Sequence, residues 1–152
     1  MLPISVLVAA VTDFGVRTPP GSTPAWPQQQ HASSSSAPAG SFSCTVRSVT
    51  DGDTFRCTSG VRVRLSAIDT PEMPGSCRPG RSCAPGDPYA AKAELARMIQ
   101  GATVTCVPAG KSYNRVAAWC SHQGTDLSCA MLRSGYAVRL PQFDRDGRLR
   151  RC

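Results

Sequence analysis

The sequence predicts a small α+β domain, mainly β, in which five short strands close a barrel and two or three short helices pack on it. Three observations carry this. Apolar and polar residues alternate in short runs broken by turn-forming residues, one amphipathic helix is opened by Asp87-Pro88, and the whole chain is only 152 residues long. That length fits one domain of ordinary size and excludes multi-domain machines and large cofactor enzymes.

The elements follow in order. Residues 44–49 (CTVRSV) and 54–57 (TFRC) flank Asp51-Gly52, a hairpin-turn pair, and residues 61–68 (VRVRLSAI) supply a third strand. In that strand Arg62, Arg64 and Ser66 alternate with Val63, Leu65 and Ala67, so the apolar set faces the core and the arginines the surface. Ala67 and Ile68 are adjacent and both apolar. A bulge there resets the parity and brings Asp69 to the face of Arg64. Asp87 and Pro88 supply an N-cap and a first-turn proline, and Ala91, Leu95, Met98 and Ile99 repeat at helical spacing up to Gly101. Residues 103–107 (TVTCV) and 115–120 (RVAAWC) read as two more strands joined by a loop, and a second helix begins after Asp126 and ends at Gly135. Three strands, a helix, two strands and a helix match a five-stranded OB-fold barrel.

This domain occupies residues 44–152. Residues 17–43 are rich in Pro, Ser, Gln and Gly, with a single charge at Arg17, and predict a disordered linker. Residues 1–16 hold an apolar run, Leu2 to Val11, about half the roughly 20 residues that span a membrane. It resembles the apolar region of a secretory signal, although no Lys or Arg precedes it. A membrane partner is not expected.

Seventeen basic residues, fifteen of them Arg, stand against ten acidic ones, and the net charge of +7 falls entirely within residues 44–152. Such a surplus favours polyanion partners, because the guanidinium fork grips phosphate with two parallel hydrogen bonds. His31 and His122 are the only imidazoles, and His31 lies in the low-complexity stretch. Acid-base chemistry therefore rests on carboxylates.

The eight cysteines include no pair separated by two residues, so zinc-ribbon and thioredoxin-like spacings are absent and disulfides become the leading expectation. Disulfides require an oxidising compartment, hence a secreted or periplasmic protein. Topology narrows the pairing. Cys44 and Cys57 lie near the outer ends of the first hairpin, and Cys106 and Cys120 take similar places around Tyr113. Cys77 and Cys83 share a short insert, which leaves Cys129 to hold down Cys152.

Asp53 follows the first turn, Asp69 ends the third strand, and Pro71 carries Glu72 off that strand and over the rim. Like charges held close are costly unless a cation joins them, and calcium is the natural occupant of an oxygen-ligated site.

Three blocks then stand out: Val49-Thr50-Asp51-Gly52-Asp53-Thr54, Arg64-Leu65-Ser66-Ala67-Ile68-Asp69-Thr70-Pro71-Glu72 and Tyr113-Asn114-Arg115. Together they resemble the signature of the staphylococcal nuclease (thermonuclease) family over about residues 44–140. The resemblance implies an OB-fold barrel with a calcium-dependent phosphodiesterase site, acting on DNA and RNA and leaving 3'-phosphate products; a monomer is expected. By matching position, Asp53 and Asp69 would bind calcium through carboxylates and Thr70 through its backbone carbonyl. Glu72 would activate the attacking water, and Arg64 and Arg115 would hold the phosphate. Tyr113 occupies the place of a substrate-contacting tyrosine, with Lys111 standing one position before the family's lysine. Asn114 replaces a glycine, and its tolerance of positive φ is expected to preserve the turn. Residues 74–88 replace the usual link to the first helix, and the expectation favours a structural clip over a loop beside the site. The competing class is a non-catalytic OB-fold module that binds nucleic acid on a basic groove or serves as an interaction module, and a third is a disulfide-scaffold interaction protein that uses no metal.

Overall fold

The structure is a computed structural model in which residues 39–152 are described. The expected apolar segment and nearly all of the expected linker lie outside the described residues. The first strand, β1 (Phe42–Asp51), begins two residues before the expected domain boundary.

β1 pairs antiparallel with β2 (Thr54–Cys57), which pairs antiparallel with β3 (Arg62–Leu65). Two register shifts bend β1, one between Val46 and Ser48 and one between Val49 and Asp51. The first explains why Val46 and Val49 both face the core although they are an odd number of residues apart: a bulge resets the alternation. The chain resumes as a two-residue strand, β4 (Ile68–Asp69), and then as helix α1 (Pro88–Ile99). Two long strands follow, β5 (Thr103–Ser112) and β6 (Arg115–His122). β5 returns to the start of β1, and β6 lies parallel to β3, with Val63 opposite Val116 and Leu65 opposite Ala118. That parallel pairing closes a mixed barrel of β1, β2, β3, β5 and β6, as the OB-fold expectation required.

Strands β5 and β6 run further than expected. The loop anticipated between them is a two-residue turn, with Ser112 paired to Arg115. Beyond β6 come a short strand β7 (Thr125–Asp126), helix α2 (Leu127–Arg133) and β8 (Val138–Arg139), which pairs with β4. Two 3-10 turns, Pro141–Phe143 and Arg148–Arg151, end the chain.

Both helices begin where their caps dictate. The Asp87 carboxylate accepts from the backbone N–H of Tyr89 at 2.8 Å and of Ala90 at 3.3 Å, and Asp126 accepts from Cys129 at 3.0 Å. Helix α1 buries Ala91, Leu95 and Ile99 against the barrel, and α2 buries Leu127, Ser128 and Met131. Phe55, Leu65, Ile68 and Leu95 are wholly buried, each stabilising the fold by about 1.5–3 kcal/mol.

Disulfides join Cys44 to Cys57, Cys77 to Cys83, Cys106 to Cys120 and Cys129 to Cys152, as the topology suggested. The first and third lie inside the barrel core, so they serve as packing as well as cross-links. Four such bonds are consistent with an oxidising compartment. Among the described residues no helix is long and apolar enough to cross a membrane.

Candidate functional site

The Asp51-Gly52-Asp53 turn is pressed against the chain just beyond β4. A Cβ on Gly52 would lie 2.8 Å from the Ala91 Cβ and 2.9 Å from both Cβ and Oγ1 of Thr70. Gly52 has no left-handed backbone, so glycine is required here for close approach. That approach brings Asp53 beside the Asp69-Thr70 segment.

The strand carrying Arg64 ends at a sharp irregularity. Ala67 has φ 59°, after which Ile68 and Asp69 pair with β8. The expected reset of parity is therefore present, and Asp69 meets Arg64. Arg64 Nη1 lies 3.0 Å from Asp53 Oδ2, and its Nη2 donates to Asp69 Oδ1 at 2.9 Å and to the Ile68 carbonyl at 3.2 Å. Both carboxylates are deeply buried, Asp53 at 2% and Asp69 at 3% exposure. One guanidinium thus bridges two buried acids. Burial pushes the Asp53 carboxyl up to about 7 even though Arg64 acts to lower it, and neighbouring Asp51 adds to the rise. Burial works against the Arg64 charge, but Asp53 and Asp69 outweigh it and hold its pKa above the usual arginine value.

Arg115 reaches the same cluster from β6. Its Nη1 donates to Thr54 Oγ1 at 3.1 Å, and Thr54 Oγ1 donates to Asp53 Oδ1 at 2.8 Å. Thr54 is a buried relay between Arg115 and Asp53 whose role the sequence reading missed; the available signal was a polar residue in a strand position next to the turn aspartate. Ser112 accepts from the other side of the Arg115 guanidinium, through its carbonyl at 3.4 Å and its Oγ at 3.2 Å. The positive φ expected at Asn114 falls instead on Tyr113, at 56°. The tyrosine occupies the left-handed position of the tight turn and projects outward, 76% exposed. Lys111 is exposed and lines the same cleft as Arg64, Arg115 and Tyr113, a space of about 730 Å³. Thr70 is buried and, like Asp53, does not line that cleft.

Glu72, half-buried, lines a neighbouring hollow that it shares with Arg64, Arg115 and Tyr113. It is not alone there. Arg81 Nη1 donates to Glu72 Oε1 at 3.0 Å and its Nη2 to Asp69 Oδ1 at 2.8 Å, while Arg78 Nη1 donates to Tyr113 Oη at 3.0 Å. The expectation that residues 74–88 are only a structural clip is therefore corrected: the loop closed by Cys77–Cys83 forms a wall of the site. Its two arginines sit in a charged loop whose sequence resembles any solvated one, and only the acids opposite distinguish them.

Among the described residues no group of three Asp, Glu, His or Cys side chains is placed to hold a metal ion. The side-chain donors are two adjacent carboxylates. An all-oxygen donor set of this kind, completed by backbone, water or phosphate, suits a hard cation such as calcium. The chemistry of Asp53 and Asp69 is that of hard oxygen donors, although two side chains alone do not complete a coordination shell.

The sequence model of the family described as staphylococcal nuclease homologue matches residues 62–151. The chain belongs to that family. The match covers Arg64, Asp69, Glu72 and Arg115 and begins after Asp53, so Asp53 joins the site through its contact with Arg64. No curated protein matches this chain. Membership makes it a nuclease-like protein carrying the OB-fold barrel of the family.

Proposed function

We propose that the protein is an exported, monomeric, calcium-dependent endonuclease that hydrolyses phosphodiester bonds in DNA and RNA with little sequence specificity. The observation that carries this reading is the meeting of Arg64 and Arg115, from parallel neighbouring strands, beside two buried carboxylates and the rim acid Glu72. Four disulfides support export, and the cationic surface supports a polyanionic substrate.

Hydrolysis places extra negative charge on the phosphoryl oxygens, and the two guanidinium groups compensate it as it develops. Both are preorganised: Arg64 by Asp53 and Asp69, Arg115 by Thr54 and the two oxygens of Ser112. Little reorganisation is then needed at the moment of reaction. Glu72 accepts the proton of the attacking water, the one carboxylate of the group that stands at the rim rather than in the interior. Tyr113 and Lys111 contact the strand on the outer side of Arg115. Asp53, Asp69 and the Thr70 backbone carbonyl would hold calcium, which when bound supplies charge compensation and makes water more acidic.

The test is cleavage of plasmid, single-stranded DNA and RNA by the purified protein, with calcium and with excess chelator. All three substrates are expected to be cut with calcium. Magnesium should substitute poorly, because it dehydrates reluctantly and demands stricter geometry. Full activity in chelator would overturn the calcium assignment.

A further inference from the structure

The Cys77–Cys83 loop reaches the acids that the proposed reaction uses. Arg81 spans Asp69 Oδ1 and Glu72 Oε1 at 2.8 and 3.0 Å. The Arg81 side chain is 42% exposed, whereas Arg64 on the other side of Asp69 is 15% exposed. The loop is fastened at two points: the disulfide closes it, and Arg78 rests 4.9 Å over the Tyr113 ring. Gly80, with φ 78°, makes the bend between the two arginines.

We propose that Arg81 is a displaceable counter-cation: it holds Asp69 and Glu72 until a divalent cation binds, then turns into the cleft as a third guanidinium for nucleic-acid phosphate. The proposal rests on the reading of Asp53 and Asp69 as calcium ligands.

Asp69 Oδ1 already accepts from two guanidinium groups, so a dication at this carboxylate meets Arg81 at a repulsive distance. One cation must yield. Arg64 is bound to two buried acids and would be stripped of partners in the interior, at high cost. Arg81, its side chain already 42% exposed, recovers hydration as it leaves, so its displacement costs less than that of Arg64 at 15%. The closed loop keeps it nearby, in the cleft it already lines with Arg64 and Arg115. There its planar fork meets phosphate with two parallel N–H donors. Its departure also leaves the Glu72 carboxylate to water.

The test has two arms, both on the oxidised full chain. In the first, calcium alone is titrated calorimetrically into wild type, Arg81→Gln, Arg81→Lys and Arg78→Gln. Arg81→Gln is expected to bind calcium about fivefold more tightly, since the competing partner is gone. Arg81→Lys should fall between it and wild type, because a point charge still competes but cannot bridge both acids. Arg78→Gln removes the same charge from the same loop without touching either acid, and should change affinity much less. Unchanged or weaker calcium binding by Arg81→Gln, or equal tightening by Arg78→Gln, overturns the displacement.

In the second arm, calcium-saturated proteins bind a cleavage-resistant phosphorothioate single strand at several salt concentrations. Arg81→Gln should bind several-fold more weakly, with a salt slope smaller by about 0.7, the loss of one phosphate contact. An unchanged slope and affinity overturn the phosphate role. If wild type and every variant fail to bind calcium, the calcium-site reading itself is wrong and the proposal falls with it. If wild type binds and Arg81→Gln binds no tighter, the proposal alone fails.

Discussion

Gly52 shows how much one missing methyl group decides. Turn chemistry accounts for the Asp51-Gly52 pair in the sequence, but the structure uses the glycine for space, since a Cβ would collide with Ala91 and Thr70. Two of those contacts involve the stem of Thr70 and the Cβ of a helical alanine, which cannot swing aside. Gly52→Ala is therefore expected to destabilise the domain by about 1–3 kcal/mol, the usual cost of overpacking. Urea denaturation measures it, and a loss within about 0.5 kcal/mol would place the contact among harmless surface changes. Asp144 gives a second residue-scale prediction. Burial pushes its carboxyl up, but hydrogen bonds from Arg139 at 2.6 Å and from the Leu149 backbone outweigh this and leave its pKa below 3.8. With the folded value below the unfolded one, its stabilisation is complete above 3.8 and is lost as pH falls through the folded value. Asp144→Asn should lower the melting temperature near neutral pH, and the gap from wild type should narrow in acid. A gap that widens in acid would contradict this.

At the scale of elements, what the sequence made legible was local. The hairpin turn, the two N-caps and the bulge after Leu65 are each written in a few adjacent residues, and each appears where those residues place it. The pairing of β4 with β8 was not legible, because two-residue strands have no periodicity to read. The turn at Tyr113-Asn114 misled for a related reason: asparagine tolerates positive φ, but strand register put Tyr113 at the left-handed position. Cys44–Cys57 and Cys106–Cys120 were readable once the strands were placed, since each joins neighbouring strands, whereas Cys77–Cys83 followed from the shared insert and Cys129–Cys152 from the two cysteines left over. Their energetic weights should differ. Cys129–Cys152 closes a separation of 23 residues and ties the C-terminal turns to α2, whereas Cys77–Cys83 spans 6 in an exposed loop. Replacing Cys129 and Cys152 by alanine should cost about 2–4 kcal/mol in denaturant unfolding. The corresponding change at 77 and 83 should cost clearly less, and a reversed order would show that the loop, not the C-terminus, secures the barrel.

Across the whole molecule, a basic barrel surrounds a small acidic cluster, and the cluster is held by arginines from three separate segments. Arg64 comes from β3, Arg115 from β6 and Arg81 from the closed loop. Two of these were visible as sequence blocks. Arg81 was not, because contact across the site depends on how the loop folds back and not on any spacing along the chain. The same geometry separates the two strand arginines in their consequences. Arg64 anchors two buried carboxylates, so its removal disturbs folding as well as chemistry. Among the described residues Arg115 is bound to Thr54 and Ser112 hydroxyl and carbonyl groups and to no carboxylate, which leaves its removal a cleaner probe. The most direct test of the proposed phosphodiesterase site is therefore steady-state cleavage of a single-stranded oligonucleotide by wild type and Arg115→Ala at saturating calcium. The account predicts a fall in kcat corresponding to roughly 3 to 5 kcal/mol of lost transition-state stabilisation, with a nearly unchanged melting curve. A kcat within about threefold of wild type, less than 1 kcal/mol, would contradict it.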